Sequence, residues 1–120
     1  MKLNHLHFQS ARPRETSAFY QEYFGFRAHV ELGPTVVLAN DERFFLAIDP
    51  APGAEPVDGE ALHFGFCLRD ADEVRMLYAL MKGAGVPFTK DLTDLSPNAT
   101  QFYCVDPAGN RVEVGWYRPL

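Results

Sequence analysis

The sequence predicts an α+β fold in which two βαβββ modules form a curved, cup-like mixed sheet with the helices on its outer face. Three observations lead there. Strand-like stretches bounded by turn residues fall into two groups of four. One helical stretch follows the first strand of each group. Landmarks also recur at a fixed interval, since His5 and His63, Phe8 and Phe66, and Gly25 and Gly83 are each 58 residues apart.

In the first module, Leu3 to Ser10 alternates apolar Leu6 and Phe8 with polar His5, His7 and Gln9, the period of a strand with one covered face. Pro13 suits a first helical turn, and Thr16, Phe19, Tyr20, Tyr23 and Phe24 recur at helical spacing until Gly25 offers a left-handed stop. Strands over Phe26–Leu32, Thr35–Ala39 and Phe44–Ile48 follow, punctuated by Gly33-Pro34 and by the polar residues 40–43. From Asp49 to Glu60 three prolines, two glycines and four acids read as a linker.

The same order then returns. Ala61–Leu68 alternates like a strand, and Asp70 with Glu73 resembles a capping box ahead of Val74, Leu77, Tyr78 and Met81. This second helix ends near Gly83 and Gly85. A strand over Val86–Leu92, a polar loop over Thr93–Asn98, a strand over Ala99–Val105, a turn through residues 106–110 and a last strand over Arg111–Tyr117 complete the module. A single domain is expected, with module one at 1–48, the linker at 49–60 and module two at 61–120.

Composition narrows the function classes. A chain of 120 residues with 47% hydrophobic content fills one core, which sets aside disorder. The net charge of −5, with no basic run, makes nucleic acid and anionic membrane unexpected partners. No stretch approaches the roughly 20 apolar residues of a membrane span, and the first residues lack the apolar core of a secretory signal, so a cytoplasmic location is expected. Cys67 and Cys104 each sit in an apolar run and are expected to be reduced and buried.

One helix covers only one face of a four-stranded sheet, so the other face is where function is sought. Strand parity puts Leu6, Phe8, Phe64, Phe66, Val112, Val114 and Trp116 towards the helices. It leaves His5, His7, His63, Cys67, Glu113 and Tyr117 on the open side. Two imidazoles and a carboxylate suit Zn, Mn, Fe, Co or Ni and leave coordination positions for water and substrate. The residues alone leave open a plainer reading, in which these are exposed strand histidines and a solvated acid. His7, one strand repeat from His5, has the proton chemistry of a general acid or base, or else simply bonds a neighbouring strand.

Several motifs together carry a family resemblance over nearly the whole chain. They are Asn4-His5-Leu6, Ala18-Phe19-Tyr20, Phe24-Gly25-Phe26, His63-Phe64-Gly65-Phe66 and the segment from Asp106 through Pro107, Gly109 and Glu113 to Val114. In this order they resemble the vicinal oxygen chelate superfamily, which includes glyoxalase I, extradiol dioxygenases, fosfomycin-resistance thiol transferases and bleomycin-binding proteins. The resemblance implies metal ligands from the first, fifth and last strands, here His5, His63 and Glu113. Glyoxalase I adds a carboxylate from the fourth strand, where this chain has Leu46 or Ala47. Fosfomycin enzymes hold a phosphonate with a lysine and a tyrosine placed like Lys90 and Tyr103. Where they have a threonine after the first ligand and a serine before Phe-Tyr, this chain has His7 and Gln101, and fosfomycin activity is not expected.

The resemblance therefore implies a divalent-metal-dependent enzyme of lyase, isomerase, thiol-transfer or dioxygenase type. Its substrate is a small molecule with vicinal oxygens, contacted by Tyr103, Lys90 and Gln101. A homodimer with a shared site is expected, His5 working with His63 and Glu113 of the other chain. The rival implication is a metal-free binding protein of bleomycin-resistance type that sequesters a small cationic ligand, a role compatible with the negative net charge.

Overall fold

A computed structural model describes residues 1–54 and 62–119. Residues 55–60 of the expected linker and Ala61 lie outside the described residues. The chain divides into two compact units, Met1–Pro56 and Val57–Leu120.

The first unit runs β1 (His5–Ser10), α1 (Pro13–Tyr23), β2 (Arg27–Leu32), β3 (Thr35–Ala39) and β4 (Phe45–Pro50). Its sheet has the order β1-β4-β3-β2, with β1 and β4 parallel and the other neighbours antiparallel. The second unit runs β5 (Phe64–Cys67), α2 (Ala71–Gly83), β6 (Phe88–Ser96), β7 (Ala99–Val105) and β8 (Arg111–Tyr117). It repeats the topology as β5-β8-β7-β6, again with its first and last strands parallel. The α+β class and the doubled βαβββ order are those expected from the sequence.

Each helix covers one face of its own sheet because its apolar stripe has nowhere else to go. From α1, Phe19 and Tyr20 are buried with Leu38, Leu46 and Ile48, and the Tyr20 ring lies 6.2 Å from that of Phe8. From α2, Val74 and Met81 are buried with Phe102, Cys104, Val112 and Val114. The Tyr78 ring packs 4.9 Å from Phe88 and 5.4 Å from Phe102. The Asp70 carboxylate accepts from the Glu73 backbone N–H at 2.8 Å, the first half of the expected capping box. Glu73 reaches back to the Arg69 backbone N–H instead of that of Asp70.

Among the described residues the strand expected over Ala61–Leu68 is confined to Phe64–Cys67, so His63 stands just before it, and four further details differ from the sequence expectation. β6 continues through Ser96, across most of the expected loop, because Asp94 pairs with Thr100 and its carboxylate accepts from the Thr100 hydroxyl and the Arg75 guanidinium. β4 extends to Asp49 and Pro50, which lie in register beside Gln9 and Ser10 of the parallel β1. The left-handed glycine after α2 is Gly85, with φ of +81°, and not the repeat-related Gly83, because α2 has 13 residues where α1 has 11. Cys104 is buried as expected but Cys67 is exposed, since β5 is an edge strand and Cys67 faces away from α2.

Leu46 is fully buried at the centre of the first unit's core. Leu46→Ala is expected to cost about 2–5 kcal/mol of unfolding free energy in a urea titration, with the slope unchanged.

Candidate functional site

The face of the second sheet turned away from α2 carries a connected set of polar side chains around Glu113. Pairing dictates who the neighbours are: β7 sets Tyr103 opposite Glu113 and Gln101 opposite Gly115, while β5 sets Gly65 beside Glu113. The Glu113 side chain is 17% exposed. A carboxylate so far withdrawn from water needs donors. Its Oε1 accepts from Gln101 Nε2 at 3.1 Å and from the Tyr117 hydroxyl. Its Oε2 accepts from the Tyr103 hydroxyl at 3.1 Å and stands 3.1 Å from His63 Nε2.

The surroundings fix these groups. The His63 ring meets Tyr103 edge-on with centroids 5.2 Å apart. Lys90 Nζ donates to Gln101 Oε1 at 2.7 Å, and the Arg111 guanidinium lies 4.7 Å from the Tyr103 ring centroid. Burial, followed by the neighbouring Glu113, pushes the Tyr103 hydroxyl above its ordinary value. The Tyr117 hydroxyl is pushed up to about 12, chiefly by burial and then by its bond to Glu113. Tyr117 is 40% exposed as a residue, yet its hydroxyl is turned to Gln101 and Glu113, which reconciles an exposed ring with a desolvated oxygen. Both phenols are donors at neutral pH.

Two glycines make room for this set. A Cβ on Gly65 would stand 2.8 Å from both the Cβ and the carbonyl oxygen of Glu113, and one on Gly115 would stand 3.0 Å from the Tyr117 ring. Gly65 borders a cleft of about 280 Å³ that is also lined by His63, Cys67, Glu113 and Tyr117.

The first unit uses the equivalent positions differently. The register partner of His7 is Ala47, just as that of Gly65 is Glu113, so Ala47 stands where the second unit has its carboxylate. The acid has moved one strand repeat along, to Asp49. His7 Nε2 lies 2.8 Å from Asp49 Oδ2, and the Thr35 hydroxyl donates to Asp49 Oδ1. The Thr35 bond first, and the His7 bond after it, holds the Asp49 carboxyl below its ordinary value. His5 Nδ1 lies 2.8 Å from Asn4 Oδ1. An amide oxygen only accepts, so Nδ1 carries the hydrogen and Nε2 of neutral His5 keeps its lone pair.

Of the residues singled out in the sequence, the structure brings His63, Lys90, Gln101, Tyr103 and Glu113 into one network. His5 and His7 stand on β1 of the first unit. Among the described residues, neither unit assembles three His, Cys, Asp or Glu side chains into a metal-holding group. The donor chemistry of the second unit nonetheless fits a divalent ion as a two-ligand half. Bonds of about 2.0–2.2 Å to a shared ion put two donors roughly 2.8–3.6 Å apart between right-angled and tetrahedral geometry, and His63 Nε2 and Glu113 Oε2 are 3.1 Å apart.

Sequence reasoning missed Tyr117, Asp49 and Thr35 as members of these networks. Parity places Tyr117 on the open face, but a hydroxyl four residues along the same strand gives no signal of bonding Glu113. Asp49 falls among the acids of the linker composition, although Ala47-Ile48-Asp49 continues the alternation of β4.

A comparison with known families decides the wider identity. The family model described as the Glyoxalase/Bleomycin resistance protein/Dioxygenase superfamily matches residues 2–114. The chain belongs to this superfamily. No curated protein matches the sequence. Solved structures share the superfamily's fold with it. A lactoylglutathione lyase from Agrobacterium tumefaciens is 24% identical with a TM-score of 0.73, covering 96% of this chain and 92% of its own. A genomically encoded fosfomycin resistance protein from Listeria monocytogenes is 18% identical with a TM-score of 0.81, covering 97% and 93%. A glyoxalase/bleomycin resistance protein/dioxygenase from Alicyclobacillus acidocaldarius is 24% identical with a TM-score of 0.75, covering 97% and 91%. At these identities the likeness is one of fold.

Two outcomes follow from the geometry. In Thr35→Val the Asp49 carboxyl loses its main stabilising donor, so its titration midpoint, followed by carboxyl carbon NMR, is expected to rise. A lowered carboxyl value stabilises the folded state above the ordinary value and loses that contribution as pH falls through the folded one. The stability gap between Thr35→Val and wild type is therefore widest at neutral pH and closes in acid. Gly65→Ala forces a methyl group against backbone that cannot swing aside, and unfolding titration is expected to show a loss of about 1–3 kcal/mol.

Proposed function

We propose that this chain is a divalent-metal-dependent enzyme whose ion, held by His5, His63 and Glu113, binds vicinal oxygens of a small substrate. The observation that carries the proposal is the approach of His63 Nε2, on the residue just before β5, to Glu113 Oε2 on β8. Superfamily membership supports it, as does the lone pair that Asn4 leaves on His5 Nε2. The metal is one of Zn, Mn, Fe, Ni or Co, and when bound it supplies Lewis-acid stabilisation of negative charge developing on a substrate oxygen.

The chain's own side chains take the other roles. Tyr103 and Lys90 contact the substrate, the first as a phenol donor beside Glu113 and the second as a cation over the same ring, 5.9 Å from its centroid. Gln101, assigned to substrate contact from the sequence, stands behind them with both amide hydrogens directed at Glu113 and Tyr117. His7 takes the acid–base role, held by Asp49 in the way a catalytic imidazole is held by its orienting carboxylate. The reaction is of lyase, isomerase, thiol-transfer or dioxygenase type. The ligand set divides between the two units, which suits a homodimer in which each site draws on both copies. No helix among the described residues is long and apolar enough to cross a membrane, and the proposed setting is the cytoplasm.

The test is the metal content of protein purified without a nickel column. About one ion per site is expected, lost in His63→Ala and in Glu113→Gln while both variants stay folded by circular dichroism. Metal-free protein that takes up no divalent ion overturns the proposal. If that protein binds cationic aromatic compounds, it is instead a binding protein of the bleomycin-resistance kind.

A further inference from the structure

We infer that Lys90 and Gln101 are positioning residues that hold the Glu113 carboxylate in one orientation, with Oε1 engaged from behind and Oε2 presented to His63. This rests on the proposed ligand role of Glu113 for its purpose, though not for its geometry. A glutamine amide has two faces of similar shape and opposite hydrogen-bonding sense, so something must choose between them. Here the choice is made at both ends. The Lys90 ammonium can only donate, and it stands 2.7 Å from Gln101 Oε1. The amide nitrogen is thereby turned inward, 3.1 Å from Glu113 Oε1 and 2.6 Å from the Tyr117 hydroxyl.

The chain of donors then closes on itself. Tyr117 accepts from Gln101 and donates to the same Oε1 that Gln101 serves. Gln101 is only 5% exposed, so water does not compete for its two amide hydrogens. With Oε1 taken twice and Oε2 held by the Tyr103 hydroxyl, rotation of the carboxylate to exchange its oxygens would break three bonds. Oε2 is left as the oxygen on the His63 side. Outer partners of this kind fix the orientation of a ligating carboxylate, and their loss typically weakens metal affinity by about 10–100-fold.

The experiment reads both the carboxylate's affinity and the amide itself. Co²⁺ is titrated into metal-free protein by calorimetry for wild type, Lys90→Arg, Lys90→Met and Gln101→Met, each checked for native near-ultraviolet dichroism. Gln101→Met keeps length and removes every hydrogen bond, and about 10-fold weaker binding is expected. Lys90→Arg retains a donor and is expected to bind like wild type, whereas Lys90→Met weakens binding by a few-fold. Side-chain amide NMR of metal-free protein gives the second readout. The Gln101 amide hydrogens are expected to exchange slowly with water in wild type and Lys90→Arg, and quickly in Lys90→Met. Wild-type affinity in Gln101→Met, or free-glutamine exchange in the wild type, overturns the clamp. A wild type that binds no Co²⁺ overturns the metal proposal instead, and the exchange rates then decide the clamp by themselves.

Discussion

Each unit pairs its first strand with its last in parallel, and everything of chemical interest depends on that pairing. β1 and β4 are distant in sequence, as are β5 and β8, yet in each unit they are neighbours at one edge of the sheet. Because side chains alternate, a parallel pair in fixed register sets the open-face residues of the two strands side by side. The helix of each unit stands against the opposite face and buries its aromatic and aliphatic stripe there. Polar residues are thus free to accumulate on one side without cost to the core. A register slip by a single residue would exchange the two faces, so the apolar core and the polar network enforce the same pairing.

The two units have spent that arrangement in different ways. In the second, a carboxylate stands opposite a glycine, and the space released by Gly65 and Gly115 admits the Glu113 chain and the folded-back Tyr117 ring. In the first, the same register positions hold His7 and Ala47, and His7 bonds instead to Asp49, one strand repeat further along β4. The duplicated topology therefore carries two unlike polar couples. One is a His–Glu contact supported by an amide and two phenols. The other is a His–Asp contact supported by a hydroxyl. Where the resemblance to glyoxalase I implies a fourth-strand carboxylate this chain has Leu46 or Ala47, and Asp49 is the nearest acid on that strand.

Much of this could be read from residue order. The alternation of His5, His7 and Gln9 against Leu6 and Phe8, and of Glu113 against Val112 and Val114, gave the correct faces because burial on one side imposes a period of two. The helix boundaries followed from Pro13, Gly25 and Asp70, whose local chemistry is decisive without any partner. Thr93 to Ser96 read as loop because nothing local shows that Asp94 has Thr100 and Arg75 to bond. Asp49 read as linker for a similar reason, since its strand partner Gln9 lies forty residues away.

The sequence by itself determined the fold class, the doubled order of elements, the alternation of faces along the first and last strands, and the superfamily. Those properties depend on patterns a few residues long and on their repetition. Tertiary structure alone decided which of the open-face groups touch. That Gln101 serves Glu113, that Tyr117 bends back to the same oxygen, and that Asp49 meets His7 are consequences of strand register and of rotamers fixed by neighbours on other strands. A hydrogen bond between strands depends on positions to within a few tenths of an ångström, and no local pattern along a chain encodes that.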